Sequence, residues 1–170
     1  MPEKPFFYFE KLTLFDRITI AVYTALTAYI AIDLLIEKPA SKSGVYLGYI
    51  LFTNFFIVSF LYEALRNFTY YLVWVFFSLI HLLLYYIFKA NHVLDYGHNK
   101  TVNMLLVTSF MLVFFQVLRF FSWNMQGREF IVPYRGKDTY SDTKASGVDY
   151  LFSFIFYMAF FAFLILSFKL

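Results

Sequence analysis

Long apolar runs separated by short polar breaks set the pattern of this chain. Five runs, at 18–36, 45–65, 68–88, 102–123 and 150–168, each come close to the roughly 20 residues that cross about 30 Å of hydrocarbon. With no water to satisfy backbone groups inside a bilayer, such runs are predicted to be helices. The predicted fold class is therefore all-α: a polytopic integral membrane helical bundle of about five transmembrane helices, forming one domain over 1–170.

The breaks support this division. Residues 37–44 contain Pro39 and Gly44, ordinary loop punctuation. The segment 63–67 contains neither Gly nor Pro, yet a single helix over 45–88 would be about 66 Å long. Glu63 and Arg66 would then be stranded in hydrocarbon, so a tight hairpin is expected. The longest polar stretch, 124–149, mixes Gly, Ser, Thr and both signs of charge, which predicts a surface loop. Ahead of the first run, Phe6, Phe7, Phe9, Leu12 and Phe15 form an aromatic lead suited to the membrane interface, with Pro2 and Pro5 opposing a long helix. This lead carries Glu3 and Glu10 and has neither the apolar run of a cleavable signal nor the Arg-rich, acid-poor character of a transit peptide.

Composition excludes several classes. The chain is 61% hydrophobic and only 15% charged, against about 25% charged in soluble domains. Without cysteine, disulfides, thiolate catalysis and Cys-ligated zinc or iron–sulfur centres are ruled out. The net charge of +3 is scattered, so no nucleic-acid partner is expected. The lead, the second break and the fourth break carry Lys4, Lys11, Arg17, Arg66, Arg119, Arg128, Arg135, Lys137 and Lys144, nine basic residues. The opposite side carries Lys38, Lys42, Lys89, Lys100 and Lys169, five, which places the N-terminus on the cytoplasmic or matrix side and the C-terminus across a bacterial or mitochondrial inner membrane. Aromatic residues reach 25%, and Tyr46, Tyr49, Tyr70, Tyr71, Tyr85, Tyr86 and Tyr150 sit where an interfacial belt would lie.

Polar groups inside the runs are few, and each is a candidate for function. His81 is the one deep histidine, and Asn54 lies at similar depth; a hydrogen bond between them would satisfy both. His81 is also the one candidate haem ligand, but a b-type haem wants two axial ligands, so another chain would have to supply the second. Gln116 and Arg119 are one turn apart, Glu63 lies at about the same depth, and a Glu63–Arg119 pair is expected, with Arg66 a competing partner. Asp33 lies a turn inside the end of the first run. His92, Asp95 and His98 give an HxxDxxH spacing whose two imidazoles and carboxylate are a known metal set, although the surrounding Asn and Gly residues read as a turn. For helix packing, Ala21, Thr24, Ala25, Ala28 and Ala31 form a stripe of small residues, and Gly44 and Gly48 a GxxxG pair. The stripe serves either packing inside the bundle or a dimer or partner interface.

No phosphate-binding loop, HExxH or nucleophile elbow occurs, three histidines are too few for a di-iron desaturase, and no deep lysine could hold retinal. No cofactor is required by the sequence. The chemistry left over points away from an enzyme and towards a non-catalytic subunit of a larger membrane assembly, such as an energy-transducing or translocation complex, with the lipid bilayer and other membrane subunits as partners. A small transporter or channel acting as a homo-oligomer, and a haem- or metal-binding redox protein, are the alternatives.

Overall fold

The computed structural model describes residues 5–36, 43–62, 64–90, 95–96, 99–132 and 145–169. It is predominantly helical: α1 (Leu14–Ile36), α2 (Ser43–Phe60), α3 (Phe68–Ala90), α4 (Met104–Gln126) and α5 (Gly147–Lys169). Four of these, all but α2, are long and apolar enough to cross a membrane. The run expected over 45–65 is shorter as a helix. It stops at Phe60, and a single 3-10 turn, Ala64–Arg66, leads into α3. The physical reason is local: Leu61, Tyr62 and Leu65 fold back into the core, and Asn67 caps α3 by accepting from the Thr69 N–H at 3.1 Å. The expected hairpin therefore consumes the last turn of the predicted span. Even so, 18 residues of α2 measure about 27 Å, close to the hydrocarbon thickness.

Two helices begin with reciprocal capping boxes. In α1 the Thr13 hydroxyl accepts from the Asp16 N–H, while Asp16 accepts from the Thr13 N–H at 2.9 Å. In α5 Ser146 and Asp149 repeat the arrangement. At the other end of α4, Gly127 adopts φ 67°, and its N–H closes the last turn on the Trp123 carbonyl. The left-handed conformation is one that glycine takes without strain.

α4 is the central helix, buried along one continuous face from Met104 to Ser122 and packed on α2, α3 and α5. Aromatic rings fill the interfaces: Phe110 stacks on Phe163 at 3.5 Å, and Phe55 meets Phe160 edge-on at 5.3 Å. The outer faces carry Val22, Phe76, Leu83, Val113, Phe154 and Ile165 exposed, as lipid contact requires.

The segments expected on one side do meet at one end. The lead lies over the α2–α3 turn, where the Phe68 N–H donates to the Tyr8 carbonyl at 3.0 Å and Asn67 bonds to Glu10. The start of the α4–α5 link joins them there. At the opposite end a two-residue antiparallel ladder, β1 (Asp95–Tyr96) with β2 (Asn99–Lys100), and a 3-10 turn (Thr101–Asn103) connect α3 to α4. Asn103 there donates to the Ser167 carbonyl near the end of α5.

The tyrosines divide differently from a simple belt. Tyr86 and Tyr150 are exposed, whereas Tyr46, Tyr49 and Tyr70 are buried. Their hydroxyls face polar partners or neighbouring helices, and their rings add to the core.

Candidate functional site

α1 places its polar residues inward. Asp16, Thr19, Tyr23, Thr27 and Asp33, at steps of three, four and six, are all buried, while Leu14, Phe15, Ile18, Val22, Ile32 and Ile36 point out. In a bilayer this is the stable orientation, because a polar group costs least against other polar groups. The centre of the stripe meets α2 and α3 in a compact hydrogen-bond cluster. His81 Nε2 lies 2.8 Å from the Tyr23 hydroxyl and 2.8 Å from the Tyr49 hydroxyl. The two hydroxyls are 3.2 Å apart. Thr53 Oγ1 is 2.7 Å from Tyr23 and donates to the Tyr49 carbonyl at 2.8 Å, and Thr27 Oγ1 is 3.0 Å from Tyr49. The His81 ring is wholly enclosed, and its Nδ1 has no hydrogen-bond partner among the described residues. Trp74 and Phe77 close the cluster, with ring centroids 4.7 and 4.8 Å from Tyr23.

The cluster also decides where Asn54 goes. Its side chain turns away from His81 and joins α2 to α4, donating to the Met104 carbonyl at 3.1 Å and accepting from Thr108. Tyr49, one turn before Thr53, supplies the partner that Asn54 was expected to give His81. A haem ligated through His81 Nε2 would have to displace both tyrosine hydroxyls from it.

A second polar site lies at the lead end. Glu129 sits between two arginines, pairing with Arg66 at 2.5 Å and with Arg119. Arg119, fully buried in α4, also donates to Gln116 Oε1 and to the Phe6 carbonyl, both at 2.9 Å, and lies 4.9 Å from the Phe6 ring. Burial, with Glu129 nearby, pushes the Tyr8 hydroxyl above its ordinary range. It therefore stays neutral beside the ion network. The acid paired with Arg119 is thus Glu129; Glu63, the expected partner, lies outside the described residues. Asp149, also fully buried, gathers Arg128 at 2.6 Å, Gln126, Ser146 and the Ile131 N–H. These contacts fix the start of the α4–α5 link.

The remaining predicted residues are placed as follows. Asp33 accepts from the Tyr46 hydroxyl at 2.8 Å, tying α1 to α2 beyond the central cluster. His92 and His98 lie outside the described residues, and the backbone of Asp95 pairs with Lys100 in the ladder. Among the described residues no group of three or more His, Asp or Glu side chains is arranged to hold a metal. Ala21, Ala25, Ala28, Gly44 and Gly48 are all exposed, and a side-chain carbon added at either glycine would meet open space. The small residues accordingly face out of the bundle.

Sequence reasoning passed over Tyr23, Thr27, Thr53, Glu129 and Asp149. Two signals were available: the T-x-x-D and S-x-x-D spacings at 13–16 and 146–149, and the 16, 19, 23, 27, 33 polar periodicity of α1.

The fold and the two polar sites define a helical bundle of the integral membrane class, with no recognisable catalytic centre among the described residues. Comparison with protein-family models, curated protein sequences and solved structures finds no match.

Proposed function

We propose that this chain is a non-catalytic subunit of a larger membrane assembly, inserted with its lead on the cytoplasmic or matrix side. The observation that carries the reading is the outward placement of the small residues Ala21, Thr24, Ala25 and Ala28 on α1. Within the bundle the helices pack through large aromatic side chains, so these small residues have no packing task inside. In lipid, where apolar surface alone does not drive helices together, a small-residue face is what admits a close neighbouring helix. The transporter reading is less well supported, because the polar face of α1 is interrupted between Thr27 and Asp33 by the fully buried Ile30.

A photo-crosslinking residue at Ala25 tests the reading in the native membrane. A crosslink to another membrane chain is expected at Ala25 and not at the lipid-facing controls Leu83 and Ile165. The triple change Ala21→Leu, Ala25→Leu and Ala28→Leu should release the chain as a folded monomer on gentle extraction. A wild-type chain that extracts only as a monomer overturns the proposal.

A further inference from the structure

From the geometry of the central cluster we propose that Tyr49 and His81 form a proton-coupled redox site, oxidised by one electron within the bundle. The proton assignment follows from the contacts. The single hydroxyl proton of Thr53 is committed to the Tyr49 carbonyl at 2.8 Å, so the 2.7 Å contact between Thr53 and Tyr23 uses the proton of Tyr23. We take the neutral ring as protonated at Nδ1, with Thr27 donating to Tyr49, so that Tyr49 is the phenol that donates to His81 Nε2 at 2.8 Å. Neutral imidazole offers one lone pair at Nε2, yet a second phenol oxygen, that of Tyr23, lies at the same 2.8 Å. That second oxygen has a use once Nε2 carries a proton, because it then accepts from the new N–H. The arrangement suits both protonation states of one nitrogen.

At rest the cluster stays neutral, since a phenolate or imidazolium is expensive in hydrocarbon. Removing an electron from a phenol makes its proton strongly acidic, and here a base is already hydrogen-bonded to it. A one-electron oxidant of the high-potential haem or radical class, held by a neighbouring protein, takes the electron from Tyr49. The phenolic O–H bond breaks, the proton moves to His81 Nε2, and a neutral tyrosyl radical remains beside an imidazolium. An electron returned by a reduced carrier of the same class reverses both movements.

The surrounding rings provide a route. Tyr70, near the lead end of α3, is 6.2 Å from Trp74, which is 4.7 Å from Tyr23, itself 6.0 Å from Tyr49. Neither the Tyr70 hydroxyl nor the Trp74 N–H is hydrogen-bonded to an imidazole among the described residues, whereas Tyr49 has His81 Nε2 at 2.8 Å. The hole therefore settles at Tyr49.

The test uses the isolated chain in lipid nanodiscs and does not depend on any partner subunit. Photogenerated tris(bipyridine)ruthenium(III) serves as the oxidant, with histidine labelled by nitrogen-15. Electron paramagnetic resonance should show a neutral tyrosyl radical coupled to an imidazole nitrogen. Tyr49→Phe should abolish the coupled species. His81→Asn, which keeps a polar side chain but not the base, should lower its yield roughly 100-fold, the scale of a positioned proton acceptor. A radical without histidine coupling in the wild type, or an unchanged yield in folded His81→Asn, overturns the proposal. The labelled wild-type spectrum decides the matter even if a variant does not fold.

Discussion

Replacing Glu129 by glutamine is expected to lower the stability of the detergent-solubilised chain by about 3–5 kcal/mol, the range for breaking a buried ion pair. The carboxylate is shared by Arg66 and Arg119, and Arg119 is fully buried. A neutral amide cannot balance either guanidinium, and no water reaches Arg119 to take its place. The same substitution loosens the lead, because Arg119 holds it through the Phe6 carbonyl and the Phe6 ring. Denaturant unfolding followed by tryptophan fluorescence would measure both effects, since Trp123 lies 6.1 Å from Phe6. Limited proteolysis should cut the lead in the variant before the helices. A stability change below about 1 kcal/mol, the scale of an exposed pair, would mean the network is solvated and not structural.

Asp149→Ala is expected to cost roughly 3 kcal/mol, the lower end of the range for a broken buried pair. Its partner Arg128 is partly exposed and recovers some hydration, which keeps the loss at that end. Part of the loss is the α5 cap. Ser146→Ala removes the hydroxyl side of the capping box together with the Ser146 bond to Gln126 Oε1, and should cost about 1 kcal/mol. A larger loss for Asp149→Ala than for Ser146→Ala, measured in the same unfolding experiment, reports the weight of the Asp149 contacts to Arg128, Gln126 and the Ile131 N–H. Equal losses would show that the cap is the whole role of Asp149.

The helices themselves were legible because hydrocarbon leaves the backbone no other satisfied form, and length then reads directly as a span. The exception is instructive. Hydropathy carried the second span to Leu65, but hydropathy cannot distinguish a leucine in a span from one folded into a turn. Leu61 and Leu65 are buried in the turn that brings Arg66 to Glu129. The polar sites were only half legible. Depth in a span marked His81, Asn54 and Arg119 as needing partners, but depth does not choose among candidates at the same level. Asn54 and Tyr49 are both close to His81 in depth, and helix rotation assigns Tyr49 to it and Asn54 to α4. Glu129 lies beyond the end of α4 and folds back at the glycine turn, so linear depth gave no hint that it reaches Arg119. The small-residue stripe on α1 was visible as a pattern, but its direction depended on which face the polar residues claimed first. Because Tyr23 and Thr27 are drawn inward, Ala21, Ala25 and Ala28 must face out.

A topology of five crossings would put the lead and the start of α5 at one membrane face and the ends of α3 and α5 at the other. The chain has no cysteine, so single cysteines can be introduced without background. Phe9→Cys, Ala145→Cys, Ala90→Cys and Lys169→Cys in sealed vesicles of known orientation, treated with a membrane-impermeant thiol reagent, give the direct measurement. Positions 9 and 145 should react from one face, and 90 and 169 only from the other. Reaction of positions 9 and 169 from the same face would contradict it.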